Sequence, residues 1–381
     1  MNCPSKLQDA LINGVETLES LTSKYSIHAK RHPKYNNLVM LKYDQISSPF
    51  EEPLVQEARG IILDENNKWK PVSWPFSKFF NAEESLAAKI DWRTAKIQEK
   101  LDGSLCHMYF YDNQWHVASS GLPDAGGNVN GLNMTFAELF WKTWNDNHYE
   151  LPHSTDGYLT FIFELMTPFN RVVVNHKENK ITLIGVRSNI SGQEKNLDFY
   201  YGFDWPIVRG FLFKDLEGVK ESFSNFEGID QEGYVVVDDN FNRVKVKHPG
   251  YVALHHMRGN DGPTYKKMLN IILKNETSEL LTYFPEWKPI YDEVYGAYQG
   301  TMNRLAWEYI SCMELTDKDL LKESDINPVL VKKIFAKYAI VTTCPDAMFK
   351  KKSGKIVQFE EYLRSVPLDR ALEIIGIKNG I

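Results

Sequence analysis

Lys100-Leu101-Asp102-Gly103-Ser104 lies between two runs that read as strands, Thr94 to Glu99 and Leu105 to Tyr111. A lysine held at such a tight bend can present its amine in a pocket and attack a phosphorus atom. Asp-Gly bends between strands are common, so the pentapeptide also fits a plain turn with a surface lysine. Other residues change the balance. Arg243-Val244-Lys245-Val246-Lys247 reads as a strand in which Lys245 and Lys247 share one face, with Val244 and Val246 on the other. Two lysines on one face are either solvated surface or an anion site in which a polyphosphate offsets their repulsion. Phe161-Ile162-Phe163-Glu164-Leu165-Met166 is an apolar strand with one carboxylate. Glu164 either faces water or is paired, hydrogen-bonded or near a metal, where it would hold a ribose hydroxyl or a hydrated ion. Glu232-Gly233-Tyr234-Val235 adds a second carboxylate, and Arg59-Gly60 and Lys78-Phe79-Phe80-Asn81 add cations upstream.

A reacting lysine, two isolated carboxylates and several cations, all supplied by strands, suit nucleotidyl transfer. The lysine must be neutral to attack, whereas an unperturbed lysine has a pKa of about 10.4. Lys245, Lys247 and a metal are expected to favour the neutral form and to stabilise charge on the α-phosphate and departing pyrophosphate. Glu232, Glu164 and Asp102 are oxygen ligands suited to magnesium that keeps several of its waters.

The elements that must position these residues follow from periodicity. Leu7, Leu11, Val15, Leu18 and Leu21 recur at helical spacing, which predicts one amphipathic helix from Lys6 to Tyr25. Strands are expected at Leu38 to Tyr43, Gly60 to Leu63, near Phe76 to Phe80, at Trp115 to Ser119 after an Asp112-Asn113 turn, at Tyr158 to Met166 and at Ile181 to Val186. Val235 to Asp238 and Arg243 to Lys247 read as a hairpin. Gly121 to Gly131 reads as a mobile loop and Phe136 to Asn145 as a helix. Beyond about Tyr251 strand signals fade; Tyr265 to Leu273, Pro289 to Glu308 and Asn327 to Tyr338 have helical periodicity, with Thr316 and Asp317 as cap candidates. The expected fold is α+β: a domain of mostly antiparallel sheets flanked by helices over residues 1–257, then an all-α domain over 258–381, joined in the loop Arg258 to Pro263.

Bulk properties exclude several classes. With 381 residues and 43% hydrophobic content, a sizeable core is available. The net charge of −6 means that any nucleic-acid surface must be a local basic patch. Cys3, Cys106, Cys312 and Cys344 are far apart and none makes a Cys-x-x-Cys pair, so free thiols in a reducing compartment are expected. No apolar h-region opens the chain and no stretch of eighteen apolar residues occurs, so the protein reads as cytoplasmic, without a membrane partner.

In order, Arg59-Gly60, Lys78-Phe79-Phe80-Asn81, Lys100-x-Asp102-Gly103-Ser104, Phe163-Glu164, Asn170-Arg171, Glu232-Gly233-Tyr234-Val235 and Lys245-x-Lys247 resemble the covalent nucleotidyltransferases. Within them the Lys-Phe-Phe-Asn and Phe-Glu-Leu-Met-Thr-Pro-Phe-Asn-Arg stretches resemble the ATP-dependent RNA ligases, specifically the T-even bacteriophage tRNA-repair branch. The resemblance covers Arg59 to Tyr251, about half the chain. It implies an adenylyltransferase fold and three steps: Lys100 takes AMP from ATP, AMP passes to an RNA 5′-phosphate, and a 3′-hydroxyl displaces it. It implies that Glu232 holds waters of a magnesium or manganese ion, that Glu164 meets the ribose or the metal shell, and that Lys245 and Lys247 meet the α-phosphate. Arg59 and Lys78 would serve the nucleotide and its outer phosphates, and Gly103, Phe80 and Tyr251 match pocket positions. One departure stands out: the family often has a basic residue after the strand that follows the nucleophile, but Val117-Ala118-Ser119-Ser120-Gly121 has none. The implied partners are ATP and RNA, as single strands or cleaved tRNA and stem-loop ends, acted on by a monomer in the host cytoplasm if a phage encodes it. The helical C-terminal part would help recognise RNA, with Lys350-Lys351-Lys352 and Lys355 as a phosphate patch. Competing readings are a GTP-dependent capping guanylyltransferase, against which the lack of an OB-like C-terminal pattern counts, and a non-catalytic RNA-binding protein on the same scaffold.

Overall fold

Alternating and continuous apolar runs become strands in the computed structural model, which describes residues 5–129, 132–169, 172–228, 230–256, 263–277, 281 and 287–377. Among these the strands are β1 (Ile27–Arg31), β2 (Leu38–Tyr43), β3 (Arg59–Asp64), β4 (Lys70–Ser73), β5 (Phe80–Asn81), β6 (Lys96–Lys100), β7 (Ser104–Tyr111), β8 (Gln114–Ser119), β9 (Leu159–Met166), β10 (Lys180–Ser188), β11 (Gly210–Phe211), β12 (Gly233–Val237) and β13 (Arg243–Lys247). They make three sheets, ordered β1-β2-β3-β4, β10-β9-β7-β8 and β11-β6-β12-β13-β5. Pairing is antiparallel except where β13 meets β5.

Burial explains the sequence patterns. β2 and β3 are apolar on both faces because each face is covered. Val39, Leu41, Ile61 and Leu63 pack with Leu7, Leu11 and Leu21 of the N-terminal helices, while Leu38, Met40 and Ile62 pack with Tyr109 and Ala118 of the second sheet. β9 packs Phe161, Phe163 and Leu165 against Leu139, Phe140 and Trp144 of the helix Phe136–Asp146. On β13 only Val244 and Val246 enter the core, 2% and 1% exposed, beside Val236 and Tyr234. The Asp112-Asn113 turn has φ of +49° and +58°, as a two-residue hairpin between twisted strands requires.

Three local expectations need correction. The N-terminal helix is two helices, Lys6–Ile12 and Leu18–Tyr25. Gly14 turns the chain at φ +67°, and Thr17 and Ser20 form a capping box that starts the second. The Phe76 to Phe80 run contributes only Phe80–Asn81 to a sheet. Thr316 and Asp317 lie inside the helix Lys288–Leu320, where the Thr316 hydroxyl bonds back to the Cys312 carbonyl at 2.6 Å, so they cap nothing.

The chain divides into two compact units, Met1–Arg258 and Gly259–Ile381. The second is built from the helices Tyr265–Leu273, Lys288–Leu320, Pro328–Ala339, Pro345–Lys352, Phe359–Ser365 and Leu368–Ile374. No helix among the described residues is long and apolar enough to cross a membrane. Cys106, Cys312 and Cys344 are free and buried; Cys3 lies outside the described residues.

Candidate active site

β12 runs between β6 and β13, so Gly233 lies opposite Lys100 on one side and opposite Lys247 on the other. The residue before it, Glu232, therefore falls between the two lysines. Its Oε2 is 2.7 Å from Lys100 Nζ and its Oε1 is 3.4 Å from Lys247 Nζ. The Glu232 side chain is 5% exposed and that of Lys100 21%, so the lysine keeps more access to a reactant than the carboxylate does. Gly233 makes the approach feasible: its φ is +143°, and a Cβ there would lie 2.2 Å from the Val246 carbonyl oxygen. Sequence reasoning surrounds Lys100 with cations; the structure sets a carboxylate against it and the nearest lysine beyond. Lys245 is two residues back on the same face of β13, paired to Val235 of β12 and Asn81 of β5.

The bend after Lys100 is held from three directions. Asp102 accepts from the backbone N–H groups of Val173 at 2.9 Å and Val174 at 2.7 Å, and from the Tyr251 hydroxyl at 2.9 Å. Both its oxygens are thus engaged, so Asp102 fixes the bend. Tyr251 is buried, 2% exposed, and the Lys247 ammonium lies 5.7 Å from its ring centroid. Gly103 rests on β9, where a Cβ would lie 2.6 Å from the Leu165 carbonyl oxygen and 3.1 Å from Glu164 Cγ. The glycine of the Lys-x-Asp-Gly bend is therefore demanded by close approach to a neighbouring strand.

Glu164 sits on β9 between Leu105 of β7 and Thr182 of β10. Burial pushes its carboxyl up to about 7; Lys100 and Arg59 oppose that shift, and the negative charges of Glu232 and Asp102 add to it. Among the described residues no three His, Cys, Asp or Glu side chains gather as a metal group. Two enclosed carboxylates of like charge, Glu164 and Glu232, still suit one hydrated divalent cation that would relieve both burial and repulsion.

Arg59, Lys100, Glu164 and Val235, drawn from all three sheets, line one narrow cavity of about 70 Å³. It shares Phe79 and Arg243 with a larger cavity of about 400 Å³, which Lys78, Phe80 and Gln56 also line. Lys78 Nζ lies 4.0, 5.2 and 5.2 Å from the ring centroids of Phe50, Tyr43 and Phe80, and burial, helped by Arg59, pushes its amine down to about 8. Phe80 is itself core, 5% exposed and packed edge-on to Phe50. Arg59 lies over Phe79 at 4.9 Å. Asn170 and Arg171 lie outside the described residues.

Sequence reasoning missed Arg243. Its guanidinium forms a two-pronged pair with Glu194 at 2.8 and 2.9 Å, lies 4.2 Å from the Phe76 ring centroid and borders both cavities. The signal was present: Arg243, Lys245 and Lys247 share one strand parity. The Lys350 to Lys352 patch is engaged within its own unit. Lys350 pairs with Asp346 at 3.1 Å, Lys351 bonds the Val357 carbonyl, and Lys352 lies 5.6 Å from the Phe335 centroid.

A family model described as RNA ligase matches residues 57–251. The chain is 29% identical over 309 residues to an RNA ligase of Rhodothermus phage RM378, covering 64% of this chain and 69% of that protein. It is 26% identical over 296 residues to a protein of Autographa californica nuclear polyhedrosis virus whose name pairs polynucleotide kinase with RNA ligase, covering 72% of this chain but 41% of the relative. An archaeal ATP-dependent RNA ligase structure aligns with a TM-score of 0.44 at 12% identity, covering 63% of this chain and 62% of that one. The matched span holds Lys100, Glu164, Glu232, Lys245 and Lys247, takes in more than half of the chain, and does not favour the capping alternative; the chain belongs to the RNA ligase family.

Proposed function

We propose that the protein is an ATP-dependent RNA ligase of the T-even tRNA-repair branch, joining 5′-phosphate and 3′-hydroxyl RNA ends. The observation that carries this reading is the buried Glu232 held between Lys100 and Lys247, with Glu164 on the same cavity. An ammonium bonded to a carboxylate cannot attack, so its proton must leave first, and Glu232 is the base within reach at 2.7 Å. The freed Lys100 Nζ forms a bond to the α-phosphorus of ATP while the bond to pyrophosphate breaks. An oxygen of the RNA 5′-phosphate then attacks that phosphorus, and the phosphorus–nitrogen bond breaks to restore the lysine. The 3′-hydroxyl finally attacks the 5′-phosphorus of the adenylylated end, loses its proton and releases AMP.

Lys247 and Lys245 share the face on which the α-phosphate would lie, and Lys78 and Arg59 stand where the outer phosphates would reach. A magnesium ion, with manganese as a substitute, would be held through water by Glu232 and Glu164 and would supply positive charge to the reacting phosphates. The 70 Å³ cavity is smaller than the roughly 300 Å³ of common small-molecule sites. Entry of ATP therefore requires the Glu164 and Lys100 sheets to part, or the neighbouring cavity to take most of the nucleotide. A relative whose name pairs polynucleotide kinase with RNA ligase supports a repair setting.

The test is incubation with magnesium and α-labelled ATP or GTP. Label from ATP that is absent in Lys100→Ala is expected; transfer from GTP instead, or label persisting in the variant, refutes the reading. Joining assayed on 5′-phosphorylated single-stranded RNA, DNA, nicked duplex and cleaved tRNA then identifies the substrate.

A further inference from the structure

The segment Ser119-Ser120-Gly121 carries no basic side chain, yet two lysines from the first sheet reach it. Lys30 donates to the Gly121 carbonyl at 3.0 Å, and Lys42 Nζ lies 3.3 Å from the point a Cβ of Gly121 would occupy. A bulge sets this up. Leu41 pairs with Ile61 but Lys42 pairs with Arg59, so Gly60 is the extra residue, at φ +92°. Residues directly opposite in a ladder share a face, so Lys42 and Arg59 are turned to the same side. Gly60 lets the loop in: a Cβ there would be 3.3 Å from the Ser120 carbonyl oxygen.

The resulting group is cationic: the charges that act on Lys42 are those of Lys30 and Arg59, while the carboxylate nearest in effect, Glu164, acts on Arg59. Among the described residues Lys42 has no hydrogen bond or ion pair, and Arg59 Nη1 is buried without a hydrogen-bond partner. Burial, then Lys30 and Arg59, push the Lys42 amine below the usual lysine range. Arg59 also lines the cavity that holds Lys100 and Glu164. Half-buried like charges are costly to gather with no anion between them, whereas a phosphate that accepts from both would offset the repulsion.

We propose that Lys42, paired across the β2–β3 bulge with Arg59, is a phosphate-binding residue of the ligation site that supplies the cation missing from the Ser119 to Gly121 segment. Its ligand is a phosphate group carrying two or more free oxygens, from the ATP triphosphate or from the RNA 5′-end. This rests on the proposed ligase activity, so the experiment first requires that the wild-type full chain be labelled by α-labelled ATP. Failure there sinks the activity itself and leaves Lys42 out of account.

With that established, Lys42→Met and Lys42→Arg are compared in three single-turnover assays: adenylylation, AMP transfer from purified adenylylated enzyme to 5′-phosphorylated RNA, and sealing of pre-adenylylated RNA. Lys42→Met is expected to slow one of the first two by about ten- to a hundredfold, the worth of one charge-assisted hydrogen bond. Loss in the first assigns the triphosphate; loss in the second assigns the RNA end. Lys42→Arg is expected to stay near wild type in all three. Should Lys42→Met not fold, acetylation of wild-type Lys42 by limiting N-hydroxysuccinimide acetate, read by mass spectrometry, decides the matter. Protection by inorganic pyrophosphate or by a 5′-phosphorylated oligonucleotide is expected. Unchanged rates in Lys42→Met, an Lys42→Arg variant equally defective, or absence of protection by both probes overturns the assignment.

Discussion

Glu164→Gln separates the electrostatics of the site from its chemistry. In the folded protein the Glu164 carboxyl is pushed up to about 7, against 4.5 in an unfolded chain. Between those values the folded state keeps a proton that the unfolded state has released. Stability therefore falls as pH rises from 4.5 to about 7 and levels off above. Each pH unit is worth about 1.4 kcal/mol, which makes the whole window worth about 3 kcal/mol. Glu164 keeps some solvent contact on its strand, and screening lowers the expectation to about 2 kcal/mol. Glutamine cannot titrate, so the stability of the variant relative to wild type should climb by that amount between pH 4.5 and 7.5. Urea unfolding at half-unit pH steps, read by amide exchange on peptides of Leu159–Met166, reports the unit that carries the site. Magnesium should raise wild-type stability at pH 8 more than that of the variant, and adenylylation should be lost in the variant despite its greater stability. Parallel pH curves for the two proteins would show that burial does not disfavour the Glu164 charge, and the account of this cavity as a cation-seeking site would fail.

Gly233→Ala forces a side chain into a left-handed backbone 2.2 Å from the Val246 carbonyl; a loss of about 3 kcal/mol is expected, seen as a lowered urea midpoint, and an unchanged midpoint would show that Gly233 is not what brings Glu232 to Lys100. Tyr251→Phe removes the 2.9 Å donor to Asp102 and should cost about 1 kcal/mol with a severalfold slower adenylylation, while Asp102→Asn should be worse because it also weakens the bonds to Val173 and Val174. The free Lys78 amine, pushed down to about 8, loses charge as pH rises through that value. The KM for ATP should therefore climb from pH 7 to pH 9 in wild type, and the rise should flatten in Lys78→Met.

What could be read from sequence was what strand periodicity encodes. Lys245 and Lys247 share a face because side chains alternate, and Val244 and Val246 enter the core for the same reason. The boundaries of β2 and of the helix Tyr265–Leu273 were legible because apolar runs stop where burial stops. β1 was not legible: after the buried Ile27 it is exposed, an edge strand whose His28, Lys30 and Arg31 leave no alternation to detect. The break between the first two helices was in plain view at Gly14 and at Thr17 with Ser20, but apolar spacing that carried across it concealed a change of direction.

The candidate residues of the site are visible in the sequence while their relations are not, and the reason lies in which interactions leave a mark in one strand. A lysine in a bend and a carboxylate in an apolar run are visible locally. That Glu232 would stand against Lys100 depends on β12 lying between β6 and β13, a pairing no single segment carries. That Asp102 would hold the bend depends on Tyr251, 149 residues away, and on the Val173–Val174 backbone. The glycines connect the two levels. Gly103 and Gly233 each sit where a Cβ would strike another strand, so each marks a close approach that fixes the position of a functional neighbour, Glu164 in one case and Glu232 in the other. Gly60 does the same for Lys42 and Arg59. Searching a sequence of this kind for glycines inside strands or at the bends that join them, next to charged residues, would have found three of the junctions at which the sheets bring their charges together.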